Sequence, residues 1–256
     1  MMGVRVSNRD DLVHMEPHPI LPAYYQSRDQ RLAFVRALFD ESAPHYDRIN
    51  HVFSLGSGAW YRRQCLVRAG LRPGLRVADI AVGTGLVARE ILAITGKASD
   101  IVGVDISAAM LAVARTKLGI PLVQGTADQL PLADRAFDFV TMGYALRHVS
   151  DLLTALAEFH RVLRPGGTVL LLEIGKPAKP LTRALLAAYL GGVAPLISRW
   201  ITGTTVTRTL IRYYWDTIEN CVPPGVVLDA MLSSGFVQIE YRTDFDLFRS
   251  YRARRY

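Results

Sequence analysis

One stretch constrains this chain more than any other: Val77-Ala78-Asp79-Ile80-Ala81-Val82-Gly83-Thr84-Gly85, followed by Leu86-Val87-Ala88-Arg89-Glu90-Ile91-Leu92. An apolar run enters a glycine turn and opens directly into a helical pattern. Glycine permits the tight turn and the close approach of a ligand to the backbone, and the first N–H groups of the helix are left without intrahelical partners. Gly83-x-Gly85-x-x-Ala88 alone also fits a dinucleotide fingerprint. A second apolar run, Ile101-Val102-Gly103-Val104-Asp105, sharpens it, because it ends in a carboxylate placed to accept both hydroxyls of a ribose. Gly83 and Gly85 are read as points of backbone approach. Asp105 is read as the ribose residue, or as the cap of the helix through Met110, two roles one carboxylate can combine.

Alternating elements follow. Strands are expected at 76–81, 100–105, 121–124, 137–143 and 168–174, and helices at 30–39, 58–69, 86–94, 108–118 and 151–162, with a turn at Asp47–Asn50. Near-continuous apolar strands between helical patterns imply an α/β fold with a mostly parallel, doubly wound sheet covered by helices on both faces. Residues 177–220 read as a helical cap insertion, and 225–252 as helix, strand, strand. Residues 1–30, rich in Pro, His, Asp and Arg, form an N-terminal arm, either free or strapped across the site, before a single domain at 31–256.

A sulfonium cofactor carries positive charge and an α-amino group, and Asp79 supplies a matching carboxylate inside the first strand. It is read as ordering the loop or meeting that amino group through water, with a purely structural carboxylate as the rival. Gly125-Thr126-Ala127-Asp128-Gln129-Leu130-Pro131, Ala136-Phe137-Asp138-Phe139-Val140 and Arg161-Val162-Leu163-Arg164-Pro165-Gly166-Gly167 follow in order. With this ordered set the chain resembles the class I S-adenosylmethionine-dependent methyltransferases, which implies a seven-stranded sheet with an antiparallel C-terminal edge and S-adenosyl-L-methionine as cofactor. Ala127 and Asp128 then belong at the adenine, and Ile106 and Met110 beside the adenine and ribose.

A closer resemblance lies outside that half. Phe39-Asp40, His45-Tyr46-Asp47-Arg48-Ile49-Asn50-His51, Ser54-Leu55-Gly56, Thr141-Met142-Gly143-Tyr144-Ala145-Leu146-Arg147-His148-Val149, Leu172-Glu173-Ile174-Gly175-Lys176-Pro177 and Met231–Phe236 resemble the ubiquinone/menaquinone biosynthesis C-methyltransferases over about residues 33–241. That implies Tyr46 closing over the cofactor, Tyr144 beside the substrate, and Arg147 stabilising a phenolate. His148 stands where the family has Asn, Gly58 where it has His, Leu86 where it has Asp, and Ala145 where it has Gly. Asp244–Arg249 replaces the family's C-terminal signature. His148 is read as a general base, its free pKa being near ~6.5, or as a stand-in for the amide hydrogen bond. Adjacent strand residues point to opposite faces, so Arg147 and His148 share the site only if the strand has ended by Leu146.

The implied activity is methyl transfer to carbon on a phenolic or quinol-like ring with an apolar tail. The alternatives are a specialised-metabolite O-, N- or C-methyltransferase and a non-catalytic cofactor-binding subunit. A net charge of +7 leaves nucleic acid, an anionic membrane or an acidic ligand open as partners. No nucleic-acid module accompanies it. The basic-edged apolar stretch through Lys179, Arg183 and Leu185 to Trp200 is too short and too broken to span a membrane and suits peripheral contact. Cys65 and Cys221 read as free thiols, which suits the cytoplasm. His45, His51 and His160 lack metal spacing, so no metal is assigned. A homo-oligomer is left open.

Overall fold

The structure is a computed structural model that describes residues 15–54, 56–189, 192 and 205–256. The strands β1 (Val77–Ile80), β2 (Ile101–Asp105), β3 (Leu122–Gln124), β4 (Phe137–Gly143), β5 (Leu163–Ile174), β6 (Phe236–Asp244) and β7 (Phe248–Arg255) form one sheet in the order β3-β2-β1-β4-β5-β7-β6. The pairs from β3 to β5 are parallel, and β7 runs antiparallel to both β5 and β6. This is the doubly wound sheet with an antiparallel C-terminal edge that the sequence implied. Strand order reverses between β1 and β4, where such sheets open a crevice at their carboxyl ends.

Alternation along the central strands divides the core into two layers. Ala78, Ile80, Val140, Met142, Val169 and Leu171 pack with α6 (Leu152–Val162) and α9 (Pro224–Ser233) on one face. Val77, Phe139, Leu170 and Leu172 pack on the other with α3 (Gly58–Arg68), α4 (Leu86–Thr95) and α5 (Ala108–Arg115). Because both faces are covered, both phases of each strand are apolar, which is why these strands read as unbroken hydrophobic runs. Asp79, Thr141 and Thr168, in phase with Val77, Phe139 and Leu170, are buried polar positions on the second face.

Over the crevice lie α1 (Arg28–Ser42), α2 (Tyr46–Phe53), α7 (Pro180–Ala188) and α8 (Thr205–Asn220). Tyr25, Val35, Leu38, Ile49, Leu210 and Tyr213 form a separate apolar cluster among these elements. The arm is a strap from residue 15 onward: Leu152 N–H donates to the Met15 carbonyl (2.8 Å) and Val222 N–H to that of Pro17 (2.9 Å). Arg31, 1 % exposed, donates to the His18 carbonyl and pairs with Glu16. Residues 1–14 lie outside the described residues, as do 190, 191 and 193–204, which include Arg199 and Trp200 of the apolar stretch.

Three local expectations change. The turn at Asp47–Asn50 is instead the helix α2, whose first-turn Asp47 is fixed from outside by Thr84 and Lys117. The helix expected at 30–39 extends over Arg28–Ser42, because the Ser27 side chain accepts from Gln30 N–H and caps it. Arg164-Pro165-Gly166-Gly167, outside the strand expected at 168–174, belongs to β5, which pairs with β4 at Leu163↔Phe137 and resumes after a register shift at Thr168↔Phe139. Among the described residues, no helix is long and apolar enough to cross a membrane.

Candidate cofactor and acceptor site

The first cavity lies over the carboxyl ends of β1 and β4. Ala81 (φ +55°) and Gly83 (φ +56°) take left-handed backbone after β1, and Tyr144 (φ +62°) does so after β4. For non-glycine residues that region is sparsely populated, so the surrounding fold holds both Ala81 and Tyr144 there. Tyr144 N–H is fixed to the Leu172 carbonyl at 2.6 Å.

Asp105 organises this cavity. Its Oδ2 accepts the Gly83 N–H at 2.7 Å and its Oδ1 the Ser107 N–H at 2.8 Å, tying the glycine loop to the start of α5. A carboxylate offers about four lone-pair sites, so acceptor capacity for two ribose hydroxyls remains. Burial raises its pKa above the ordinary range, with the two backbone donors opposing that shift. Ser107 caps α5 by accepting from Met110 N–H, and its hydroxyl donates to Asp40 of α1 at 2.6 Å. At the far end of the cavity Asp128 accepts from Ser150 N–H at 3.4 Å through Oδ2, while its buried Oδ1 has no partner. An unfilled acceptor there suits the exocyclic amine of an adenine. Ile106, Met110 and Ala127 complete this apolar-walled slot. Beneath the loop Asp79 is 1 % exposed, and neither of its oxygens has a hydrogen-bond partner. Burial and then the neighbouring Asp105 charge push its pKa well above the carboxylate range. These unfilled acceptors fit the ribose, adenine and amino-acid end of S-adenosylmethionine.

A second cavity of about 350 Å³ adjoins the first, and Tyr46 and Tyr144 line both. The volume falls within the range of small-molecule sites. Leu185, Leu186, Tyr189, Ile218 and Phe248 give it an apolar wall. Arg147, 2 % exposed, lines it too and is ion-paired with Glu173 of β5, which also accepts the Arg147 backbone N–H at 3.2 Å. The guanidinium lies over the Tyr214 ring, 5.1 Å from its centre, and the Tyr214 hydroxyl donates to that of Tyr46 at 3.0 Å. Burial holds the Tyr214 pKa well above the phenol range, so it stays a donor.

Sequence reasoning placed Arg147 and His148 together at the reacting centre, and the structure separates them. The strand has ended at Gly143, but Leu146–His148 form a 3₁₀ turn, in which consecutive side chains diverge by about a third of a turn. His148 lines the first cavity, stacked on Tyr213 at 5.4 Å and edge-on to Phe39, with neither ring nitrogen hydrogen-bonded. Burial, and then the Arg147 charge, hold its pKa well below the usual histidine range. Gly83 lines the cavity, whereas Gly85 does not: its absent Cβ would lie 2.3 Å from Leu118 Cδ1, so this glycine serves packing. Glu173, Tyr214, Asp40 and Arg62 received no role from the sequence. Only Glu173, an acidic residue ending an apolar strand, carried a local signal.

The model of the ubiE/COQ5 methyltransferase family matches residues 25–245. The chain is 32% identical over 220 residues to the ubiquinone/menaquinone biosynthesis C-methyltransferase UbiE of Coxiella burnetii, covering 83% of this chain and 87% of that one. It is 32% identical over 235 residues to UbiE of a Shewanella species, covering 88% and 92%. Among solved structures it is similar to an S-adenosylmethionine-dependent methyltransferase of Thermotoga maritima, titled a possible histamine N-methyltransferase. That match has a TM-score of 0.60 at 21% identity, covering 86% of this chain and 99% of the other.

Proposed function

Since this chain belongs to the ubiE/COQ5 methyltransferase family and is an S-adenosylmethionine-dependent methyltransferase, we propose that it methylates carbon on a phenolic or quinol-like ring bearing an apolar tail. The observation that carries this reading is the apolar second cavity, joined to the cofactor cavity at Tyr46 and Tyr144 and containing the buried Arg147–Glu173 pair. The curated relatives named as C-methyltransferases support it.

When bound, S-adenosylmethionine supplies an electrophilic methyl group. Asp105 would hold the ribose and Asp128 the adenine, and Asp79, its pKa held well above the carboxylate range by burial, would face the sulfonium end as a hydrogen-bonding carboxyl. The acceptor ring enters through the apolar wall and meets Tyr46 and Tyr144. A ring hydroxyl is positioned by Tyr46, whose own proton is free to donate while its oxygen accepts from Tyr214. As that hydroxyl ionises, Arg147 stabilises the oxyanion, with its guanidinium aligned by Glu173 and Tyr214. The ortho carbon then becomes nucleophilic, and after transfer its ring proton passes to solvent, which restores aromaticity. His148, neutral and walled by aromatic rings, keeps both ring nitrogens without a partner at the cofactor end. Its depressed basicity limits it as a proton acceptor.

The test incubates the enzyme with S-adenosylmethionine and a reduced, isoprenyl-tailed demethylquinol in detergent, and the product is located by NMR. A new methyl on a ring carbon is expected. A methyl on oxygen would replace this reading with the second one, a specialised-metabolite O-methyltransferase, which Ala145 and His148 at the altered segment favour.

A further inference from the structure

An open groove of about 830 Å³, lined by Lys176, Arg183 and Arg249 against a single carboxylate, Glu219, has charges that do not balance. Glu219 is met by Lys176 at 3.2 Å and by Arg183 at 2.6 Å. Arg249 makes no ion pair among the described residues, and its Nη2 donates to the Lys176 carbonyl at 2.9 Å. Gly175 leaves room for that guanidinium, since a Cβ there would lie 1.9 Å from Arg249 Nε. Three cations and one carboxylate leave two positive charges in excess, and the Lys176 and Arg183 side chains are half-exposed and open to an anion.

α7 divides this groove from the acceptor cavity. Pro180, Arg183, Ala184 and Ala187 line the groove, and Thr182, Leu185, Leu186 and Tyr189 the cavity. At 3.6 residues per turn the ridge of Leu181 and Leu185 falls between the two, and these leucines are 72 % and 63 % exposed. Leu185 belongs to both cavity and ridge, so the apolar wall continues to the surface. The β6–β7 turn stands beside α7, because Asp246 accepts from the Ala178 and Lys179 N–H groups just ahead of it. Phe245 in that turn is 74 % exposed with φ +56°, a backbone that suits Gly or Asn, so its ring gains no burial in return for the strain. Phe245 and Arg249 both fall in the segment Asp244–Arg249, where this chain departs from its family. Exposed apolar side chains beside excess positive charge, at the mouth of an apolar cavity, match an anionic lipid surface.

We propose that the groove binds the headgroup phosphate of an anionic phospholipid, which seats Leu181, Leu185 and Phe245 in the bilayer and opens the acceptor cavity to it. This rests on the reading of the acceptor as a ring with an apolar tail, which then passes from lipid along Leu185 without crossing water.

Co-sedimentation with phosphatidylcholine vesicles, with and without phosphatidylglycerol and in the absence of acceptor, tests it. Wild type should bind the phosphatidylglycerol vesicles and release them at high salt. Arg183→Gln with Arg249→Gln, and separately Leu181→Ser with Phe245→Ser, should each weaken binding about 10- to 30-fold, the scale of two basic or two apolar contacts at a membrane. Both double variants should keep the wild-type affinity for S-adenosylhomocysteine, which shows them folded. No binding to phosphatidylglycerol vesicles, equal binding to both kinds, or full binding by either variant would overturn the proposal. Calorimetric binding of glycerol 3-phosphate in place of vesicles would overturn it in favour of a free phosphate. Wild-type dimers abolished by Leu181→Ser with Phe245→Ser, again without vesicle binding, would make the face an interface between copies. Vesicle binding without methylation of any quinol would remove the acceptor reading and leave the docking standing.

Discussion

Arg147 and His148, adjacent in the chain, open onto different cavities: Arg147 onto the apolar one with its charge met by Glu173, His148 onto the one framed by Asp105 and Asp128. Both touch the Tyr214 ring, Arg147 at 5.1 Å and His148 stacked at 6.3 Å. The aromatic side chain thus carries contact between acceptor and cofactor ends, and the Arg147 charge is one reason that His148 is hard to protonate.

Removing the counter-ion is expected to be worse for stability than removing the pair. Glu173→Gln leaves Arg147 buried and unpaired and should cost about 3–5 kcal/mol, whereas Glu173→Gln combined with Arg147→Met should recover much of that loss. Thermal and urea unfolding check the order. Turnover should fall in both, with S-adenosylhomocysteine affinity nearly unchanged, because Arg147 lines the acceptor cavity.

His148 and His18 should make the fold acid-sensitive. A histidine whose folded pKa is below its unfolded value binds fewer protons when folded. Its stabilisation is therefore complete above the unfolded value of ~6.5 and is lost as pH falls towards the folded one. For His18 that window runs down to about 4, where burial holds it. The slope approaches about 1.4 kcal/mol per pH unit for each such group. Asp79 and Asp105, raised by burial, act in the opposite sense, so the readout is a difference. Between pH 6.5 and 5 the stability of His148→Asn should fall less steeply than that of wild type. Equal slopes would show that His148 titrates normally.

The two loop glycines should separate in mutagenesis. Gly85→Ala places a methyl 2.3 Å from Leu118 Cδ1 at φ +88° and should cost roughly 2–4 kcal/mol by overpacking and left-handed strain. Gly83→Ala has open space and φ +56°, so its stability loss should be nearer 1–2 kcal/mol. Since Gly83 lines the cavity, its substitution should weaken S-adenosylhomocysteine more than its modest stability loss suggests. Unfolding curves and calorimetric titration together distinguish the two.

Asp105→Ala removes the acceptor of Gly83 and Ser107 N–H as well as the proposed ribose ligand. S-adenosylhomocysteine should raise the wild-type melting temperature by mass action, and the variant should show no rise. Asp128→Ala, which loses one adenine contact, should keep a reduced shift. A wild-type rise with NAD in place of S-adenosylhomocysteine would contradict the cofactor.

The sheet was legible in the sequence because its causes are local. Strands covered on both faces must be apolar at every position, so Val77–Ile80, Ile101–Asp105 and Phe137–Gly143 declare themselves, and glycines mark where the backbone must turn left-handed. Asp105 and Asp128 were legible for a similar reason: each is a charged residue ending an apolar run or following a glycine turn. The segments over the crevice were harder. Asp47–Asn50 looks like a turn by composition and is a helix because Thr84 and Lys117, distant in sequence, hold its first turn.

Sequence alone settled the strand order's raw material, the glycine loop and the carboxylates that frame the first cavity, since each follows from backbone sterics or from the cost of placing charge beside apolar neighbours. Tertiary structure alone decided how those charges are matched. Pairing of Arg147 with Glu173, the strap from Met15 to Ser27 and the divergence of Arg147 from His148 depend on elements that meet only when the sheet closes under its helices. Burial then fixes which groups keep their charge, because desolvation and pairing are properties of the assembled interior and leave no mark on the order of residues.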